Sequence, residues 1–216
     1  MPVLTLPSVQ HDFFEWRQGR RYYAVWALDF DHSMLRQASD EICAALPEYW
    51  LPGYVRAPHL TVGLCGFPAA QARRDDDYAL THFTAQLQAL SDAAPAPFAV
   101  EIGAPGSFTS AAYFSARDLD NGIEQLRCLL GEADDSGFVP HVTFGLYRAA
   151  LPLHSVLAQL RAHNRLITCQ MEVHKLSWMV YEAAVIGGPL YKLGEFDLAT
   201  RRFEVVDQQQ FEAIFA

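Results

Sequence analysis

The chain has 216 residues, of which 51% are hydrophobic, so it is long and apolar enough to fold around a substantial core. Its net charge of -9 argues against a surface that tracks a long nucleic-acid duplex, because such surfaces bind phosphates mainly through lysine and arginine. The four cysteines form no CxxC pair, the first residues lack a secretion signal, and no run reaches the roughly 18 apolar residues of a membrane-spanning helix. We therefore expect a monomeric, cytoplasmic protein with no membrane partner.

Strands and helices alternate in the first half of the sequence. Residues 22–30 (YYAVWALDF) are apolar, aromatic and β-branched, which is typical of a buried strand. Prolines, glycines and polar residues separate the segments that follow. The predicted order is strand Tyr22–Phe30, helix Ser33–Leu46, strand Val55–Leu64, helix Tyr78–Leu90 and strand Phe98–Ile102.

The second half repeats this order. Its predicted elements are strand Ala111–Ala116, helix Leu119–Leu130, strand Phe138–Tyr147, helix Leu153–His163 and strand Cys169–Val180, followed by a last strand over residues 191–198. A repeated pattern at a fixed offset indicates duplication, and two repeats are too few for a solenoid. We therefore predict one α+β domain over residues 1–216. Its repeat units, residues 22–103 and 111–180, are expected to form two pseudo-symmetric lobes of antiparallel sheet with outer helices and a cleft between them.

One seven-residue motif occurs in both halves, as PHLTVGL over residues 58–64 and as PHVTFGL over residues 140–146. Its histidines, His59 and His141, are 82 residues apart. Side chains two apart on a strand share a face, so each histidine is expected beside the next threonine, Thr61 or Thr143, with the glycine leaving room for a ligand. The same alternation places Tyr147 on this face as a second aromatic or a hydroxyl donor. A hairpin-end tyrosine that packs on the surface is the alternative.

A third His-x-Thr triplet, His82-Phe83-Thr84, shows that these three letters alone are weak indicators. It falls in a predicted helix, where residues two apart do not face each other, and it lacks the preceding proline and the following Gly-Leu. We therefore interpret it as unrelated to the site. Purely structural histidines are the alternative for His59 and His141, but the duplicated seven-residue context favours a functional role.

The paired motif in its duplicated setting resembles the 2H phosphoesterase superfamily, which includes bacterial 2′-5′ RNA ligase-like proteins and plant-type cyclic phosphodiesterases. The resemblance covers residues 22–198. The opening strand is similar to that of the plant enzymes, where the matching tryptophan flanks the bound nucleotide. This makes Trp26 a candidate stacking residue, with a core aromatic as the alternative. Many bacterial relatives carry a basic residue three positions after the second threonine, where this chain has Leu146, and this departure weakens the argument for binding an RNA terminus.

The resemblance implies acid-base chemistry on a phosphodiester. One histidine would act as the base and the other as the acid, since imidazole titrates near neutral pH. The hydroxyls of Thr61 and Thr143 would donate hydrogen bonds to the non-bridging phosphate oxygens. The sequence does not decide which histidine is the base. It contains no P-loop and no zinc-ligand spacing, so neither a cofactor nor a metal is predicted.

Three functions stay open at this point. The first is a metal-independent cyclic phosphodiesterase that hydrolyses a 2′,3′-cyclic or ADP-ribose 1″,2″-cyclic phosphate of a nucleotide or an RNA end. The second is a 2′-5′ RNA ligase that uses the same site. The third is a non-catalytic nucleotide- or RNA-binding module, against which the two intact motifs argue. The net charge of -9 favours a small nucleotide-like substrate over RNA.

Overall fold

A computed structural model describes residues 2–132, 137–166 and 168–215, which form two β-sheets with helices packed against them. The strands are β1 (Tyr22–Asp29), β2 (His59–Ala69), β3 (Asp77–Ala79), β4 (Phe98–Ser107), β5 (Ala111–Asp118), β6 (His141–Leu146), β7 (Cys169–Val173), β8 (Lys175–Glu182), β9 (Tyr191–Asp197) and β10 (Arg202–Val205). The helices are α1 (Phe14–Arg17), α2 (Ser33–Ala45), α3 (Leu80–Ala93), α4 (Gly122–Leu129), α5 (Leu153–His163) and α6 (Gln208–Ile214), with a 3₁₀ helix at Pro47–Tyr49. This arrangement confirms the predicted α+β fold.

The two sheets have equivalent strand orders. The first sheet runs β10-β9-β8-β1-β2-β3, and its neighbours are antiparallel except for the short parallel pair of β2 and β3. The second runs β6-β5-β4-β7 and is antiparallel throughout. The order β2-β1-β8-β9 therefore matches β6-β5-β4-β7, which confirms two pseudo-symmetric lobes. The two strands that carry the repeated motif, β2 and β6, occupy equivalent positions.

The sheets do not follow the two repeat units in full. Strand β4 lies at the end of the first predicted unit, yet it pairs with β5 and β7 in the second sheet. The single strand predicted over residues 169–180 is two strands, β7 in the second sheet and β8 in the first, separated at His174. The first lobe is thus built from both ends of the chain, and the second from residues 98–173. A hydrophobic pattern predicts that a segment is extended, but not which strand it pairs with.

One hydrophobic core extends through both lobes. It includes Ala24, Trp26 and Leu28 of the central strand β1, together with apolar side chains of the second sheet. The aromatic C-terminal tail belongs to this core, because Phe203, Phe211 and Phe215 pack around the ring of Phe83 at centroid distances of 5.2, 5.5 and 6.0 Å. Within the described ranges, no helix combines the length and apolar character needed to cross a membrane. The packed core holds the motif strands of the two lobes in a fixed relation to each other.

Candidate active site

A cleft of about 540 Å³ lies between the lobes, where β2 and β6 approach each other. The side chains of His59, Thr61, His141 and Thr143 all line it. The structure therefore brings together the four residues that the repeated motif singled out. The third triplet lies elsewhere, since His82 is an exposed residue of α3 and does not line the cleft.

The two histidine rings are held in the same way. Nδ1 of His59 lies 2.8 Å from the carbonyl oxygen of Ala57, and Nδ1 of His141 lies 2.7 Å from that of Val139. A carbonyl oxygen can only accept a hydrogen bond, so each Nδ1 carries a proton and donates it. Each Nε2 is thereby left for the cleft. It is a lone-pair base when the ring is neutral and an N–H acid when the ring is charged.

Burial distinguishes the two histidines. His59 is only 7% exposed, and this burial lowers its pKa to about 4, outweighing the hydrogen bond to Ala57, which raises it. At neutral pH the ring of His59 is therefore uncharged. His141 is half-buried and packs edge-on against Phe108, at a centroid distance of 4.9 Å, and against Tyr113 at 5.5 Å. These contacts fix the plane of the second ring at the opposite wall of the cleft.

The two threonines stand at equivalent positions beside the histidines. Thr61 pairs with Ala27 of β1, and Thr143 pairs with Tyr113 of β5. Both are half-buried, and neither hydroxyl has a hydrogen-bond partner among the described residues. The hydroxyl of Tyr54 donates to the carbonyl of Thr143 across 3.2 Å, which ties the loop before β2 to β6. Two hydroxyl donors are therefore free to bind a ligand between the histidine rings.

A β-bulge interrupts each motif strand directly after its threonine. Val62 in β2 and Phe144 in β6 have no partner in the register with the neighbouring strand. One extra residue reverses the alternation beyond it, so Leu146 rather than Gly145 follows Thr143 on the cleft side. In β2, the carbonyl of Val62 accepts a hydrogen bond from the Arg127 side chain at 2.8 Å. The bulge is thus held by a side chain of α4.

The bulge in β6 overturns the prediction that Tyr147 faces the substrate. Tyr147 is fully buried, its hydroxyl lies 2.6 Å from Oγ of Ser107, and its ring stacks on that of Trp50 at 5.7 Å. Gly145, the glycine of the second motif, was predicted to leave room for a ligand, and the structure gives it another role. A Cβ at Gly145 would lie 2.7 Å from the Trp50 ring, so this glycine admits a core tryptophan and not a ligand.

Trp26 does not reach the cleft either. It lies on the face of β1 opposite Ala27, the partner of Thr61, and its side chain is fully buried. Its Nε1 donates to Oε1 of Gln86 at 2.8 Å, and its ring lies parallel to Phe83 at 5.9 Å. The predicted stacking role is therefore corrected, and the alternative, a core aromatic, describes its position. Adjacent residues of a strand point to opposite faces, which excludes Trp26 from the site.

Sequence reasoning missed several residues that line the cleft. Arg56 lies over the ring of Tyr181 at 4.2 Å and donates from Nε to the carbonyl of Gly188 at 3.1 Å. The remaining wall consists of Tyr54 and of a loop over residues 183–187. Phe13 and Trp16 line the cleft from the N-terminal segment. Strand alternation could not place Arg56, because the strand predicted over Val55–Leu64 begins only at His59 in the structure.

The cleft is lined by a positive charge, although the whole chain is negatively charged. The chain carries a net charge of -9, yet the described residues that line the cleft include Arg56 and no aspartate or glutamate. In the part of the chain that the structure describes, no group of three or more His, Cys, Asp or Glu side chains is arranged to hold a metal ion. The site is therefore suited to an anion held by hydrogen-bond donors and one guanidinium.

Comparisons with known proteins agree with this geometry. A model of the 2′-5′ RNA ligase superfamily matches residues 54–184, which include both motifs. The structure of TT0787 from Thermus thermophilus has 16% identity and a TM-score of 0.52, covering 82% of this chain and 98% of that one. Escherichia coli LigT in complex with 3′-AMP has 15% identity and a TM-score of 0.50, covering 83% and 98%. No curated protein matches the chain significantly. At these identities the two structures establish the fold that they share with this chain.

Proposed function

Because the chain belongs to the 2′-5′ RNA ligase superfamily, we propose that it is a metal-independent phosphodiesterase that opens the cyclic phosphate of a nucleotide or of an RNA end. One observation carries the proposal. Two Nε2 atoms and two free threonine hydroxyls face the same cleft, and no carboxylate of the described residues lines it. This is the set of groups that phosphodiester hydrolysis requires: a base, an acid and donors for the phosphate oxygens.

We assign the base to His59 and the acid to His141. The buried ring of His59 is neutral, so its Nε2 can take a proton from the attacking water. The water oxygen bonds to phosphorus, and the bond from phosphorus to one ribose oxygen breaks. His141, protonated at Nε2, gives its proton to that leaving oxygen. The product is a phosphate monoester, and proton exchange with solvent restores both rings.

The phosphate oxygens that do not react need their own donors. Thr61 and Thr143 lie beside the two histidines and donate to these oxygens from opposite sides of the cleft. Arg56 adds a positive charge to the same cleft, and its contact with Tyr181 limits the directions in which the guanidinium points. Together these groups stabilise the charge that builds up as water adds to phosphorus.

The decisive experiment is a panel of cyclic phosphates assayed in EDTA. It includes nucleoside 2′,3′-cyclic phosphates, ADP-ribose 1″,2″-cyclic phosphate and an RNA oligonucleotide with a 2′,3′-cyclic end. The variants are His59→Asn and His141→Asn, because asparagine can still donate to the carbonyl two residues earlier but has no group in place of Nε2. We expect each to lose activity by on the order of 10³-fold.

His82→Asn is the matched control, since this exposed histidine also belongs to a His-x-Thr triplet but lies outside the cleft. It should keep the wild-type rate. Turnover that requires added metal, or that survives both substitutions in the cleft, contradicts the proposed mechanism. Joining of the cyclic RNA end to a second oligonucleotide, without hydrolysis, assigns ligation to the same site.

A further inference from the structure

The first residues of the described chain form a strap, residues 2–20, that is attached to both lobes. Its start is fixed to the second lobe through Thr5, which is 1% exposed. The Thr5 hydroxyl donates to the carbonyl of Ala149 at 2.7 Å and accepts from the N–H of Leu151 at 2.9 Å. Further along, the N–H of Ser8 donates to the carbonyl of Tyr147 at 2.7 Å.

The end of the strap is fixed to the first lobe through Arg20. Its guanidinium pairs with Asp76 at 2.5 Å and with Asp77 at 2.8 Å, and it lies over the ring of Phe67 at 3.6 Å. The side chains of Arg20 and Asp77 are largely buried, so this ion pair is less exposed to solvent than an ordinary surface pair, whereas Asp76 is exposed. The strap therefore runs from one lobe to the other with both ends held.

Two aromatic side chains between these attachments, Phe13 and Trp16, line the same cleft as the catalytic histidines. The ring of Trp16 packs against the ring of Phe67, at a centroid distance of 4.8 Å, and against that of Tyr23 at 5.3 Å. It is nevertheless 39% exposed, whereas the other three tryptophans of the chain are buried. A large aromatic ring with one packed face and one open face is the usual form of a stacking platform.

The backbone at Phe13 is held in an unusual conformation that supports this role. Its φ of 51° and ψ of 33° are left-handed, which is uncommon for a bulky residue. The Phe13 N–H donates to Nδ1 of His11 at 3.0 Å, and the two rings lie 3.5 Å apart. Such conformations persist where neighbouring contacts fix them, and they are concentrated at ligand-binding sites.

We propose that Trp16, assisted by Phe13, stacks on the nucleobase of the substrate while the cyclic phosphate lies between the histidines. This inference rests on the proposed function and names the substrate class as a nucleotide with an aromatic base. The strap lies outside residues 54–184, the part of the chain that matches the superfamily model. Stacking holds any base by its π-face, which predicts selection for a base but little selection among bases.

The test compares two substrates that share the reacting ring: adenosine 2′,3′-cyclic phosphate and 1-O-methylribose 2′,3′-cyclic phosphate, which has no base. For Trp16→Ala we expect KM for the adenosine substrate to rise roughly tenfold, with kcat within about twofold, and KM for the base-free substrate to stay unchanged. Trp16→Phe should retain most of the wild-type KM. Phe14→Ala is the matched control, because Phe14 is 61% exposed in the same short helix and does not line the cleft.

Trp16→Leu distinguishes a loss of stacking from a folding defect, because leucine keeps apolar packing against Tyr23 and Phe67 but offers no aromatic face. It should reproduce the KM change of Trp16→Ala. A second readout needs no turnover: adenosine 2′-monophosphate should quench tryptophan fluorescence of the wild type, ribose 5-phosphate should not, and Trp16→Phe should abolish the quenching.

The two proposals fail separately. If the wild type hydrolyses no cyclic phosphate, the proposed function is overturned, and loss of quenching in Trp16→Phe still supports nucleotide binding at the strap. If the wild type is active but Trp16→Ala and Trp16→Leu keep its KM for the adenosine substrate, the stacking role is overturned. An equal rise in KM for both substrates also overturns it, because it assigns Trp16 a purely structural role.

Discussion

The ring of His59 combines a fixed tautomer with near-complete burial. The hydrogen bond from Nδ1 to the carbonyl of Ala57 settles which nitrogen faces the cleft, and the surrounding apolar atoms disfavour the charged form. Its partner His141 has the same hydrogen bond but a more open surface. Two identical motifs thus provide chemically different histidines, because the packing around the rings differs. This asymmetry is the basis for assigning base and acid.

The assignment predicts where activity is lost on the acid side of the pH profile. A base must be unprotonated, and burial lowers the pKa of His59 to about 4, below the ordinary histidine value. As pH falls, kcat/KM should therefore decline only near pH 4 and stay high through pH 6. The measurement is kcat/KM for a nucleoside 2′,3′-cyclic phosphate across the acid range, with circular dichroism at each pH to verify folding. A decline centred near the ordinary histidine pKa would mean that His59 is not the base.

Substitution of one buried tyrosine tests the corrected position of Tyr147. Removing its hydroxyl leaves Oγ of Ser107 without this partner, so Tyr147→Phe should lower the free energy of unfolding by about 1 kcal/mol and leave kcat/KM unchanged. Tyr54→Phe is the comparison, because Tyr54 lines the cleft and its hydroxyl binds the carbonyl of Thr143. It should lower kcat/KM several-fold. Urea titration and steady-state kinetics on both variants decide the matter, and a kinetic defect in Tyr147→Phe contradicts the structure.

At the scale of the strands, the alternation of side chains between the two faces predicted the site residues as far as the β-bulge in each motif strand. The pairs His59 with Thr61 and His141 with Thr143 follow the two-residue period, and the structure places all four in the cleft. Beyond the threonine, the bulge reverses the faces, so Tyr147 enters the core. The contacts that hold the bulge in β2 come from α4, which is distant in sequence, and the local residues give no sign of it.

The loop that closes the cleft depends on a glycine at residue 187. Gly187 has a φ of +68°. A Cβ there would lie 2.7 Å from the ring of Tyr54 and 3.2 Å from the Cα of Tyr54. Gly187→Ala therefore adds backbone strain, a clash with the Tyr54 ring and a tight contact with the Tyr54 backbone, so both parts of Tyr54 must shift. We expect the free energy of unfolding of Gly187→Ala to fall by about 2 kcal/mol or more, seen as a fall in Tm of roughly 4–8 °C. We also expect a reduced kcat/KM.

Gly131→Ala separates these two effects. Gly131 also has a positive φ, of +85°, but a Cβ there would meet no atom within 4 Å. This variant should lose only the part of the stability that comes from the backbone conformation, about 1 kcal/mol, and should keep full activity. Equal losses in the two variants would show that the contact between Gly187 and Tyr54 has no role in shaping the cleft.

At the scale of the whole molecule, most of the element order was predictable but the assembly was not. The short elements α1, β3, β10 and α6 were not predicted, and β7 and β8 were predicted as one strand. The alternation of strands and helices follows the hydrophobic pattern, and the motif strands β2 and β6 occupy equivalent positions as the repeat suggested. The pairing of β8 with β1, however, joins residues more than a hundred positions apart. That pairing depends on buried side chains that become adjacent only in the folded chain. Trp26 and Trp178, for example, are paired in register and are both fully buried. The strap is likewise defined by its contacts with both lobes and not by a local pattern.

The shared strands predict that the two lobes unfold together. The first sheet needs β8, β9 and β10 from the end of the chain, the second lies between them and β1 in sequence, and one core extends through both. We therefore expect far-ultraviolet circular dichroism, tryptophan fluorescence and enzymatic activity to be lost at the same urea concentration, since the cleft requires both lobes. A fragment of residues 1–107 lacks half of the strands of the first sheet and should not fold cooperatively. Separate transitions for the three signals, or a cooperative melt of that fragment, would show that the lobes are independent units and that the cleft forms by docking of two folded parts.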